Sequence, residues 1–139
     1  MIRVVVDPGV FVSVLIGSRG SPPDRIFSAW IDDRLEVIAS PHLIAELRRV
    51  LLRPRFRRWF DETSAQQLVV RLERHATMHD DPLAIKGATR DPKDDYLIAL
   101  AHAAKADAIV SGDGDLHDAD LTDVSVWTPR HLADLLSEG

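Results

Sequence analysis

The chain has no cysteine. Disulfides and thiolate metal sites are therefore excluded, and the six histidines raise no expectation of zinc. No apolar run approaches the roughly 18 residues that a bilayer-spanning helix needs. Strand-like residues begin at once, without the layout of a signal peptide. A soluble cytoplasmic protein is expected, with no membrane partner. Positive charge is also short. The net charge is −5, which argues against a simple basic nucleic-acid binder.

The 139 residues fit one ordinary domain, expected to span 1–139, and 45% hydrophobic content is enough for a core. Charge is unevenly spread. Arg48, Arg49, Arg53, Arg55, Arg57 and Arg58 crowd one short stretch, whereas aspartates dominate the last third, from Asp91 to Asp123. A basic edge beside an acidic region suits a polyanion held over metal ions. It also suits a solvated Arg-rich helix or an acidic partner.

Residues 2–6 are nearly all apolar, the pattern of a parallel strand buried on both faces. Further strands are expected at 35–39, 77–79, 107–111 and 124–127. Between them, helices are expected from Pro8 to Ile16, from Pro22 to about Asp33, over 41–52 behind a Ser40 N-cap, from Thr63 to about His75 behind Thr63 or Ser64, and from Asp91-Pro92 onward. Thr128-Pro129 opens a last helix. Pro54 ends or kinks the helix before it. Residues 80–90 and the Gly-Asp-Gly-Asp stretch at 112–115 read as loops. Strands alternating with helices imply a parallel sheet in an α/β fold.

Carboxyl ends of parallel strands face one crevice, where ligands bind. Asp7 closes the first strand and Asp113 follows the 107–111 strand. Asp7 also suits a helix N-cap before Pro8, and one carboxylate can serve both roles. Glu46 flanks the apolar stripe of its helix, where it meets the crevice or simply pairs with Arg49. Asp91 suits an N-cap and Asp94 the third helical position, so Asp95 is preferred over Asp94 as the metal-directed group. Asp113 and Asp115 suit either turn or cation chemistry. They lack the remaining spacing of an EF-hand loop. Converging carboxylates repel one another, and a divalent cation relieves that repulsion.

Val4-Val5-Val6-Asp7, Ser40-Pro41-His42-Leu43-Ile44-Ala45-Glu46-Leu47, the stretch Arg90 to Ala101 and the stretch Ala106 to Leu116 together resemble PIN-domain proteins, and among these the VapC-like toxins of toxin–antitoxin pairs. The resemblance spans nearly the whole chain. It implies a three-layer α/β/α fold around a central parallel sheet and Mg²⁺- or Mn²⁺-dependent hydrolysis of RNA. It carries the catalytic acids onto Asp7, Glu46, Asp95 and Asp113, and the metal ligands onto Asp7, Asp95, Asp113 and, as an accessory, Asp115. Ser111 and Asp94 become supporting residues, and Arg48, Arg49 and Arg53 the contacts to the RNA backbone. A small antitoxin and a homodimer are the implied partners. One departure stands out: Pro8-Gly9 occupies the place where the family often has a polar pair. This leaves an alternative reading, a PIN-fold RNA- or protein-binding module with little catalysis. A receiver-like phosphoacceptor fits poorly, because it wants an acidic pair after the first strand.

Overall fold

The computed structural model describes residues 1–83, 94–117 and 124–138, together with the backbone but not the side chain of Asp115. Asp91 and Pro92, the expected start of a helix, lie outside the described residues, as do most of the 80–90 stretch and the aspartates at 118, 120 and 123.

Five strands form one sheet in the order β3-β2-β1-β4-β5. They are β1 (Arg3–Val6), β2 (Glu36–Ala39), β3 (Thr77–Met78), β4 (Ala108–Val110) and β5 (Val126–Trp127). Every neighbouring pair is parallel. Val4 to Val6 and Ala108 to Val110 are all buried. Successive strand residues point to opposite faces, so burial of every one means that both faces of the central strands are covered. The uninterrupted apolar runs of the sequence have this cause.

The helices are α1 (Pro8–Ile16), α2 (Pro22–Ile31), α3 (Pro41–Leu51), α4 (Glu62–His75), α5 (Asp95–Ala103), the short α6 (Gly114–His117) and α7 (Pro129–Glu138). Proline at the first turn and a polar cap before it start several of them. Ser21 accepts a hydrogen bond from the Asp24 amide and Ser40 one from the Leu43 amide. At α4 the cap is Asp61, which accepts from the Ser64 amide, rather than Thr63 or Ser64. The carboxylate one turn earlier reaches the free amide and lengthens the helix by a residue. The 112–115 stretch is also not all loop, since α6 begins at Gly114. α5 is described from Asp95, with Asp94 at its N-cap position.

Strand order fixes where the chemistry can sit. From β1 the chain moves through β2 to β3 on one side, then returns to place β4 on the other side of β1. The loops after β1 and β4 therefore diverge, leaving a crevice at the carboxyl end of the sheet. Helix α3 packs on both α1 and α4, and Leu47 at its centre is fully buried. Among the described residues, no helix is long and apolar enough to cross a membrane.

Truncation of Leu47 to alanine removes core contacts without touching the crevice. Leu47→Ala is expected to lower unfolding stability by about 2–5 kcal/mol, read from the midpoint of urea unfolding.

Candidate functional site at the strand switch point

Asp7 is held by three contacts. Its amide donates to the Val110 carbonyl of β4 at 2.9 Å. Oδ1 accepts from the Gly9 amide at 3.1 Å, the expected N-cap of α1. Oδ2 accepts from the Ser111 hydroxyl at 2.7 Å. Ser111 is fully buried, and its Oγ also accepts the Asp113 amide at 2.9 Å. One hydroxyl thus ties the end of β1 to the loop after β4. His117 of α6 closes the arrangement, with Nε2 at 2.6 Å from the Ser111 carbonyl.

Asp7, Glu46 and Asp94 line one cleft of about 270 Å³, together with Tyr96 and arginines 49, 53 and 55. Asp95, preferred from the sequence, is buried at the start of α5 and does not line this cleft. Its neighbour Asp94 does. The side chain of Asp115 lies outside the description. Among the described residues, no three acidic or histidine side chains form a ready-made metal cluster. His75 and His79 stand four residues apart, a zinc spacing when both lie on one helix. Here α4 ends at His75 and β3 follows, so they share no helix face.

The cleft arginines differ from one another. Arg49 grips Glu46 with two hydrogen bonds, at 3.1 and 2.9 Å. This is the simple pairing that the helix spacing allowed. The Arg49 hydrogen bond holds the Glu46 carboxyl below its ordinary value. Partial burial opposes the shift, and the charges of Arg49, His42 and Arg53 add to it. Arg48 instead pairs with Glu73 of α4 at 2.8 Å. Arg53 makes no ion pair among the described residues.

Tyr96 falls within the stretch Arg90 to Ala101 that carries the resemblance but drew no role from the sequence, as a lone aromatic beside two aspartates. Burial first, and then the charges of Asp7, Glu46 and Asp94, push its hydroxyl well above the ordinary tyrosine value, with Arg49 opposing. Three carboxylates separated widely in sequence thus act on one hydroxyl. The His42 ring packs at a tilt against that of Tyr96, with centroids 4.3 Å apart. A larger hollow of about 610 Å³ runs along α4 from Thr63 to His75. Its lining includes glutamines, arginines and a histidine and, among the described residues, no carboxylate, so acid chemistry belongs to the smaller cleft.

Two expectations follow from these contacts. Ser111→Ala leaves Asp7 Oδ2 and the Asp113 amide without this partner, and is expected to cost about 1–3 kcal/mol of unfolding stability, measured by chemical denaturation. Glu46 is expected to titrate below 4.5 by carboxyl carbon NMR, and Arg49→Gln to move that midpoint upward. A lowered folded-state value stabilises the fold above the ordinary carboxylate range, and the contribution is lost as pH falls through the folded value. Arg49 is half exposed, so solvent screening keeps the contribution of the pair small.

A family model described as PIN domain matches residues 3–115. The uncharacterized protein MJ1680 of Methanocaldococcus jannaschii is 27% identical over 115 residues, covering 83% of this chain and 73% of that protein. Among solved structures, VapC20 of Mycobacterium tuberculosis, a sarcin–ricin loop cleaving toxin, is similar at TM-score 0.56 and 16% identity. It covers 88% of this chain and 98% of its own. VapBC2 of Rickettsia felis, bound to a DNA fragment from its promoter, is similar at TM-score 0.59 and 12% identity, covering 91% and 98%. At such identities the likeness to solved structures is one of fold. With the family model spanning most of its length and the acid-lined crevice at the strand switch point, the chain belongs to the PIN-domain family.

Proposed function

We propose that this protein is a Mg²⁺- or Mn²⁺-dependent endoribonuclease, the toxin of a toxin–antitoxin pair, with Asp7, Glu46, Asp95 and Asp113 as its catalytic acids. The observation that carries the reading is the switch-point crevice itself. Asp7 and Asp113 are joined there through Ser111, while Glu46 and Asp94 share a cleft with Asp7.

The donor set fits a hard divalent cation. All the groups are carboxylates, and the chain has no thiolate to favour a softer ion. That no ready-made three-carboxylate cluster stands among the described residues does not disqualify it, because Mg²⁺ binds through one or two carboxylates plus waters and substrate phosphate oxygens. Asp7, Asp95 and Asp113 would hold the ion, with Asp115 as accessory and Asp94 at the rim. The ion supplies positive charge against the phosphodiester and makes hydroxide available near neutral pH.

The chain's own groups do the rest. Glu46, kept ionised by Arg49, orients the attacking water as an acceptor. Tyr96 keeps its proton at neutral pH and offers a donor to a phosphate oxygen. Arg53 positions the RNA backbone, a contact that carries no sequence information. Arg48 and Arg49, engaged with Glu73 and Glu46, have less charge to spare for RNA. A small antitoxin and a second copy of the chain complete the reading as partners. The likeness to toxin structures supports the first.

Pro8-Gly9 favours one alternative, a binding module with weak catalysis. The Gly9 amide donates to the capping carboxylate of Asp7, but neither residue offers a polar side chain to the cleft. Loss of such a supporting hydrogen bond costs about 10–100-fold in metal affinity or activity.

Asp7→Asn separates the readings cleanly, because asparagine still caps α1 while the negative charge is gone. Wild type is expected to cleave mixed RNA in Mn²⁺, and Asp7→Asn to lose at least about 100-fold of the rate. Equal cleavage by both proteins would overturn the assignment, and no cleavage by either would leave the binding module.

A further inference from the structure

The arginine-rich turn after α3 carries more cation and more aromatic surface than the cleavage site uses. Pro54–Arg58 forms a single 3-10 turn, anchored by the buried ring of Phe56. Arg57 is spent on structure, since it donates to the Leu51 carbonyl at the end of α3 and lies over Phe60. Arg55 and Arg58 are different. Neither makes an ion pair among the described residues. Arg55 lies 4.9 Å from the Phe56 ring centroid and Arg58 4.8 Å from that of Trp59.

Trp59 is 49% exposed, whereas Trp30 is 5% exposed. Its ring stands 6.3 Å from that of Phe56, and Phe56, Arg53 and Arg55 line the cleft beside Asp7. A continuous track of cation and ring therefore runs from the carboxylates out to Trp59. The half-exposed Trp59 ring lies between guanidinium groups that make no ion pair among the described residues, an alternation of ring and cation that matches alternating bases and phosphates.

We infer that Trp59, Arg55 and Arg58 form a nucleotide subsite beside the cleavage cleft, stacking an unpaired base of single-stranded RNA on Trp59 and holding the adjoining phosphates with the two arginines. The inference rests on RNA being the substrate but not on catalysis.

Binding of a fluorescein-labelled oligouridylate, followed by anisotropy in an Asp7→Asn background, tests it. Trp59→Ala is expected to raise Kd about 5- to 100-fold, the range of one lost base stack, and Trp59→Phe to restore most of it. Arg55→Ala and Arg58→Ala are each expected to lower the slope of log affinity against log salt by about 1. A thermal melt of each variant confirms folding. Unchanged affinity in folded Trp59→Ala overturns the inference even if wild type cleaves RNA, as does an absence of RNA binding altogether. RNA binding that depends on Trp59 in a protein without cleavage upholds the subsite and removes only the nuclease reading. Loss of self-association with intact RNA affinity would instead assign the patch to a protein interface and overturn the inference.

Discussion

The site depends on one buried hydroxyl. Ser111 donates to Asp7 and accepts the Asp113 amide, so a single side chain ties the carboxylate at the end of β1 to the loop after β4. A buried hydroxyl that donates and accepts is fully used and contributes to specificity of geometry as well as to stability. Because the strand order reverses between β1 and β4, that tie sits where a parallel α/β sheet opens to ligands. The fold thereby turns two residues more than a hundred positions apart into neighbours.

Electrostatics then divides the arginines into two groups. Arg48 and Arg49 are matched with Glu73 and Glu46, and their fields are largely spent inside the protein. Arg53 and Arg55 reach the same cleft without a carboxylate partner among the described residues. The cleft is consequently lined by carboxylates and by uncommitted arginines together. A phosphodiester fits that mixture, with the arginines attracting it and the carboxylates calling for a cation. The net charge of −5 conceals this arrangement, because a sum over the chain carries no information about separation in space.

Much of this was legible in the sequence. The strands around Val4 to Val6 and Ala108 to Val110 announced themselves as apolar runs, and Asp7 as a strand-end acid that also caps a helix. The Arg49 pairing of Glu46 followed from helical spacing. What remained illegible turns on short-range competition. Asp94 and Asp95 are adjacent, and only the structure shows that Asp94 lines the cleft while Asp95 is buried at the start of α5. Gly114 looked like loop because glycine favours turns, yet it starts α6. Asp61 took the α4 cap from Thr63 and Ser64 because a carboxylate one turn earlier reached the amide. Trp59 could not be told from Trp30 by type alone. Only tertiary packing leaves one outside and buries the other.

The central claim is that the crevice acids together take a hard divalent cation. Isothermal calorimetry of Mn²⁺ into the full chain tests it most directly, with Asp113→Asn as comparison. The account predicts a saturable heat at one site in the wild type that weakens by about 10-fold or more in the variant. A wild-type titration with no saturable heat, or one that the variant leaves unchanged, would contradict it.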